Sequence, residues 1–169
     1  MKTGLFYGST HGEVASIAEN IKAALGSSVN VFENIGTIAP EVVASCDALI
    51  FGISTWDSDK LQEDWDAFWP KLEKLNLHGK KAAIFGLGDQ INYPDHYQDA
   101  VGLLAEKVIA RGAMLVGTTS PVGQKFTATK VMKDGKMQGL CLDILNQNDK
   151  TDVRVAAWVG QIKGELGLS

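Results

Sequence analysis

The residues best equipped for chemistry stand near the start of the chain, in Gly4-Leu5-Phe6-Tyr7-Gly8-Ser9-Thr10-His11-Gly12-Glu13-Val14. An apolar run from Leu5 to Tyr7 breaks at Gly8 into small hydroxyl and glycine residues. Val14, Ile17, Ala18, Ile21 and Leu25 then recur at helical spacing. Strand, short turn and helix in that order leave free backbone N–H groups and a positive helix end at the carboxyl edge of a sheet. That arrangement binds anions, and phosphate is the usual occupant. The Ser9 and Thr10 hydroxyls are donors to phosphate oxygens, and Gly12 lets the backbone approach closely. The same residues also suit a plain helix cap, and the loop alone does not separate the two readings. No lysine follows, so the nucleotide loop G-x-x-x-x-G-K-[ST] is absent, as is a G-x-G-x-x-G turn.

Two further stretches separate them. Ser54-Thr55-Trp56-Asp57-Ser58-Asp59 and Leu87-Gly88-Asp89-Gln90-Ile91-Asn92-Tyr93-Pro94 each follow a continuous apolar run and each carry one large aromatic. A lone loop aromatic is usually a core plug. Two at one edge beside a phosphate loop suit the walls of a slot for a flat ring. Asp89 and nearby backbone groups can then pair with N–H and C=O on that ring. A phosphate joined to a planar, hydrogen-bonding ring is a flavin mononucleotide (FMN).

The elements that must position these loops can be read from the apolar pattern. Strands are expected at Leu5–Tyr7, Val29–Phe32, Ala48–Ile53, Lys81–Gly86, Met114–Gly117 and Gly139–Leu142. Helices are expected from Val14 to Leu25, Pro40 to Ala44, Gln62 to Lys74 (burying Trp65, Phe68, Trp69 and Leu72), Tyr97 to Arg111 (with Ile109 inward) and Asp152 to Leu166, the last capped by Thr151 or Asp152. Residues Thr118 to Gln138 lack a long apolar period. Alternation of this kind means a parallel sheet with helices on both faces, and ligands beyond the carboxyl ends of its strands. All three loops emerge there.

At 169 residues one domain spanning 1–169 is expected, and no repeat or linker divides it. The net charge of −4 argues against nucleic-acid binding. No apolar stretch reaches membrane-spanning length, and Met1 to Leu5 runs straight into a strand, so neither a membrane span nor a signal peptide is expected. Cys46 and Cys141 are far apart and fit free thiols in a reducing cytoplasm.

The sequence resembles the flavodoxin family over essentially its whole length. The resemblance rests on Gly4 to Thr10 with Gly12, on Ser54-Thr55-Trp56, and on Gln62-Glu63-Asp64-Trp65. It rests further on Phe85 to Gln90 with Tyr93-Pro94, and on Gly139-Leu140 through Asp143, Asn146-Gln147 and Thr151-Asp152. It implies an α/β, doubly wound, three-layer fold with a five-stranded parallel sheet in order 2-1-3-4-5. Thr118 to Gln138 resembles the insertion that splits the fifth strand of long-chain members. Bound FMN and one-electron transfer between redox proteins are implied with it. By matching position, Ser9, Thr10, His11, Gly12, Glu13 and Val14 would hold the phosphate. Trp56 and Tyr93 would stack on the two ring faces. Asp89 and Gln98 would lie near the pyrimidine and ribityl side, and Ser54, Thr55, Asp57, Ser58, Leu87, Gly88 and His96 complete the expected cofactor set.

Four departures from the family pattern carry expectations of their own. The usual phosphate motif [ST]-x-T-G-x-T has His11 and Val14 here in place of threonines. Two hydroxyl donors are lost, each such bond to a charged acceptor being worth about 1.5–3 kcal/mol. Weaker FMN binding is expected, with His11 able to restore one donor and to tighten binding when protonated. The semiquinone of the family is stabilised by a peptide flip, by position Asp57–Ser58, where Asp57 tolerates left-handed geometry. Lys60 stands where a glutamate is common. At roughly 8 Å in near-bulk water a unit charge is worth about 0.5 kcal/mol. Reversal is then about 1 kcal/mol, or roughly 40 mV on a one-electron couple, making the low potential less negative. Lastly, Lys125, Lys130, Lys133 and Lys136 make the insertion basic, and Ile144-Leu145 replaces a usually acidic stretch. Acid remains at Asp57, Asp59, Glu63, Asp64 and Asp66, where a basic flavodoxin or ferredoxin reductase-type donor can dock, while the acceptor is unspecified.

The expected function is thus a cytoplasmic, monomeric, low-potential one-electron carrier, not an enzyme, cycling FMN between semiquinone and hydroquinone. Two other classes stand beside it. One is an FMN-dependent NAD(P)H:quinone-type oxidoreductase, which needs a pocket open over the flavin that Trp56 and Tyr93 would close. The other is a non-catalytic binding module with a failed phosphate loop. No metal site is expected, and the acidic pair of a phosphoacceptor domain is missing.

Overall fold

The computed structural model describes residues 1–56 and 60–169. The Asp57–Ser58 peptide and Asp59 lie outside the described residues, so the expectations placed on them are not addressed by it. The backbone of the molecule is a sheet built by β1 (Thr3–Tyr7), β2 (Val31–Asn34), β3 (Ala48–Ser54), β4 (Lys81–Leu87) and β5 (Met114–Val116) in the order β2-β1-β3-β4-β5. Every pairing along it is parallel, with Gly4 opposite both Val31 and Leu49, and Ile50 opposite Ala83. β5 covers only Lys81 to Ala83 of β4. A separate strand, β8 (Leu140–Leu142), covers Phe85 to Leu87. The fifth position is therefore shared by two short strands with residues 117–139 between them, as the expected interrupted fifth strand requires.

Helices α1 (Glu13–Leu25) and α5 (Asn148–Leu166) cover one face of the sheet. α2 (Pro40–Ala44), α3 (Glu63–Leu72) and α4 (Asp99–Ala110) cover the other. β3 is buried at all seven positions because helices lie on both sides of it, which is why its sequence is a continuous apolar run. All five apolar positions expected on α1 are buried. On the other face, Trp65 of α3 packs edge-on against Phe51 and against Phe68. Among the described residues no helix is long and apolar enough to cross a membrane.

Several boundaries differ from those read in the sequence. β2 begins at Val31, not Val29, because Gly26–Ser28 forms a 3-10 turn and Asn30 bonds the backbone of Thr3 before pairing begins. Trp69 is only partly buried, with the Lys107 ammonium 5.7 Å from its ring, and Ile109 is 38% exposed on the outer side of α4. α4 starts at Asp99, since Gln98 has a φ of 58°. α5 starts four residues before the expected Asp152, and its cap position is Gln147 rather than Thr151 or Asp152. Thr151 lies inside the first turn, buried, with no partner for its hydroxyl among the described residues. The insertion contains a hairpin, β6 (Met132–Lys133) and β7 (Lys136–Met137), closed by Asp134-Gly135. Both turn residues have positive φ, as a two-residue hairpin loop demands.

Candidate functional site

The ends of β1, β3 and β4 deliver the three loops to one edge of the sheet. In loop one, the Ser9 hydroxyl oxygen accepts from the N–H of Gly12 at 3.0 Å and of Ala15 at 3.4 Å. The Thr10 hydroxyl oxygen accepts from Gln62 Nε2 at 3.1 Å. A hydroxyl has two acceptor lone pairs and one proton, so both side chains keep the proton for an outward partner. Gly12 takes a φ of 90° ahead of α1, a geometry that strains any residue with a Cβ. The N–H groups of Thr10, His11, Glu13 and Val14 meet no acceptor among the described residues. His11 is exposed, whereas the Val14 side chain is 3% exposed and packs into the core. The hydroxyl missing at position 14 has thus been exchanged for apolar packing, and the N–H remains.

Loop one is steadied from α3. Asp64 Oδ2 accepts from Ser9 N at 3.0 Å, Gln62 Nε2 at 3.0 Å and Asn34 Nδ2 at 3.2 Å. Gln62 also caps α3 by accepting from the N–H groups of Asp64 and Trp65. Gly8 is required here, because a Cβ on it would stand 2.1 Å from Gln62 Oε1 and 2.6 Å from the Trp65 ring. Asp64, expected as a free surface acid, is instead half-buried and turned into the loop. Glu63 and Asp66 are exposed.

Of the residues ending β3, Ser54 and Thr55 are buried. The Thr55 hydroxyl oxygen accepts from Ala100 N at 3.0 Å in the first turn of α4, and its proton stays free for another partner. Trp56 is partly buried against the α1/α5 side of the core, and Tyr93 is 39% exposed at the far loop.

The third loop is tied down by two buried carboxylates. Asp89, 2% exposed, accepts from Ile91 N, Asn92 N, Asn92 Nδ2 and Asn146 Nδ2 at 2.7–3.1 Å. Burial alone would raise its pKa, but these bonds from Asn92, Asn146 and Ile91 outweigh it and hold the carboxyl below its ordinary value. Asp143, fully buried, accepts from Gln90 N, Gln90 Nε2 and Asn146. The Asp89 carboxylate is therefore occupied within the protein, and what remains open is its N–H, which meets no acceptor among the described residues. Gln98 is tied to the protein through one end of its amide, and its Oε1 has no partner among the described residues. Its side chain is fully buried beneath Gly86 and Gly88, and Nε2 donates to the Leu142 carbonyl at 3.0 Å. Leu87 and Gly88 are buried in the strand exit, and half-exposed His96 pairs with Asp99 at 3.1 Å.

Sequence reasoning missed the organising roles of Asn34, Gln62, Asp64, Gln90, Asp143 and Asn146. Their signal is weak, since each acts on a loop distant in sequence.

The architecture and this loop geometry have close counterparts. The family model described as Flavodoxin matches residues 5–158. The chain is 41% identical over 167 residues to a flavodoxin of Nostoc sp., covering 99% of this chain and 98% of the other. It is 40% identical over 168 residues to flavodoxin 2 of Escherichia coli, covering 98% and 97%. The structure of Fusobacterium nucleatum flavodoxin bound to flavin mononucleotide superposes with a TM-score of 0.88 at 28% identity, covering 98% of this chain and 99% of that one. With a match that runs nearly end to end in both directions, this chain belongs to the flavodoxin family.

Proposed function

We propose that this chain is a one-electron carrier that holds FMN without a covalent bond and exchanges electrons with other redox proteins. The observation that carries the reading is the convergence of three loops on one sheet edge, with unused donors on the first and the third. The open N–H groups of Thr10, His11, Glu13 and Val14, with the outward protons of Ser9 and Thr10, fit a phosphate. The open Asp89 N–H fits a carbonyl oxygen of the ring, and Trp56 and Tyr93 supply flat apolar walls. The flavin, when bound, supplies the redox chemistry. The protein's own task is to bind, to orient and to keep water from the ring.

The Asp89 carboxylate is not a ligand group in this reading, because its bonds are spent within the protein. It builds the cradle from behind, and loop one and the Asp89 backbone make the polar contacts. One chain supplies all three loops, which supports a single-domain monomer over 1–169. Cys46 and Cys141 are buried and unpaired, which supports a reducing cytoplasm. Exposed Glu63 and Asp66 beside loop one support docking of a basic reductase-type donor. Nothing in the loop geometry favours a hydride-transferring enzyme.

The test is anaerobic photoreduction of protein reconstituted with FMN, followed by visible absorption. A long-wavelength band that rises before full bleaching is the expected result and means electrons enter singly. Bleaching with no such band would replace the carrier reading with two-electron chemistry. Failure to take up FMN would mean that His11 and Val14 have disabled the loop.

A further inference from the structure

We infer that Gln62 is a positioning residue for loop one. It fixes the direction of the Thr10 hydroxyl proton and so sets a preference for FMN over riboflavin, the same flavin without its phosphate. This rests on the FMN reading above and names the group that gives it phosphate selectivity.

Gln62 is 8% exposed and stands at the cap position of α3, beneath loop one. One end of an amide side chain only accepts and the other only donates. Backbone groups decide here which end lies where. The N–H groups of Asp64 and Trp65 meet one atom of the amide at 3.1 and 3.4 Å, so that atom is Oε1. The other atom is Nε2, whose two hydrogens go to Asp64 Oδ2 at 3.0 Å and Thr10 Oγ1 at 3.1 Å. Asp64 Oδ2 also accepts from Ser9 N and Asn34 Nδ2. The amide of Asn34 is oriented in turn by the Gly36 N–H, which donates to its Oδ1 at 2.7 Å. Each link from Gly36 to Thr10 therefore has one sense.

The consequence falls on Thr10. A free hydroxyl turns to donate or to accept as its partner requires. Here an inward N–H occupies a lone pair of Thr10 Oγ1, and the proton meets no acceptor among the described residues. The residue is exposed, so that proton is directed at whatever the loop binds. A phosphate oxygen only accepts, and a bond to its charge is roughly twice as strong as a neutral one. The terminal hydroxyl of riboflavin is neutral and gains less from the same donor. Because the donor is oriented before binding, its ordering adds little to the cost of forming the complex. Gln62 acts through Thr10 and not by contact with the flavin.

The test is fluorescence titration of apoprotein with FMN and with riboflavin, for wild type, Gln62→Met, Thr10→Val and the double variant. Methionine keeps the length of the side chain and removes the donor. Gln62→Met is expected to raise the Kd for FMN about tenfold and to leave that for riboflavin unchanged. In the Thr10→Val background the same substitution should bring no further loss of FMN binding. An equal loss for both flavins, or an undiminished loss in the Thr10→Val background, reduces Gln62 to a helix cap and overturns the positioning role. Should Gln62→Met not fold, Gln62→Glu keeps the capping oxygen and offers Thr10 an acceptor that draws its proton inward. Its FMN loss should then be larger with Thr10 present than in the Thr10→Val background, and equal losses overturn the role. A wild type that takes up neither flavin, or binds riboflavin as tightly as FMN, defeats the phosphate reading itself and the role of Gln62 with it.

Discussion

The two sides of the loop cluster are organised in the same way and finished differently. On the β1/β3 side, Asp64 gathers Ser9, Asn34 and Gln62 from a half-buried position, and four N–H groups of the loop stay open. On the β4/β5 side, Asp89 and Asp143 are buried, and between them they bind the third loop and the loop after β8. The first side bears exposed Glu63 and Asp66, the second Lys125 and Lys150. A loop that must meet an anion keeps its donors free and is steadied from the side. A loop that must hold a ring edge is fixed before the ring arrives. The difference lies in where the organising carboxylate sits relative to water.

That contrast can be broken by removing the organisers. Asp143→Ala strands the buried backbone and side-chain N–H donors of Gln90 and should cost about 2–4 kcal/mol in urea unfolding, since each stranded buried donor costs about 1–3 kcal/mol. Asp64→Ala exposes its donors to water and should cost about 1 kcal/mol. Equal losses would abolish the distinction between a closed side and an open one.

The next effect is a pH dependence confined to the closed side. Because the folded state holds the Asp89 carboxyl below its ordinary value, its contribution is present above the unfolded carboxyl pKa of about 4 and is lost as pH falls through the folded value. Asp89→Asn should therefore lose about 1–2 kcal/mol at neutral pH, with the gap to wild type narrowing in acid. A gap constant with pH would show that Asp89 acts by shape and not by charge.

On the open side, His11→Ala should weaken FMN binding about tenfold, the size of one modest hydrogen bond to a charged acceptor. Titration of apoprotein with FMN, wild type beside variant, measures the loss. Identical curves would remove His11 from the anion site. Glu63→Lys/Asp66→Lys should slow electron transfer to native, basic cytochrome c about fivefold at low salt. An unchanged rate would leave Glu63 and Asp66 outside the docking surface. Smallest is Lys60→Glu, expected to lower the more negative flavin potential by about 40 mV before screening, which potentiometry with redox dyes would resolve. An unmoved potential would leave Lys60 as solvation alone.

The sheet order and both of its covered faces were legible from apolar spacing, because burial on two sides leaves an unbroken run such as Ala48 to Ile53. The start of α5 was not, since Asn148 to Lys150 are polar and exposed and carry no period. The hairpin in the insertion had a readable cue in Asp134-Gly135, overlooked for want of flanking alternation longer than two residues. In the candidate site, the position of each loop was legible and the direction of its side chains was not. The Asp89 carboxylate follows a strand as a ligand-binding residue would, yet finds its partners inside the protein, whereas Thr55 and Gln98 are each engaged at one atom only. Those partners lie 2 to 57 residues away, and the distant ones bring tertiary packing into the choice between facing in and facing out.

The shared fifth position has one more consequence, for how the molecule avoids its own copies. A long outer strand offers a row of unpaired N–H and C=O groups on which another chain can template itself. Here that border is cut into β5 and β8, three residues each, with the lysine-bearing insertion leaving the sheet between them. Neither piece is long enough to seed an intermolecular sheet, and repulsion between like-charged insertions opposes the approach of a second border. The segment that interrupts the fifth strand thus also guards against aggregation at high concentration.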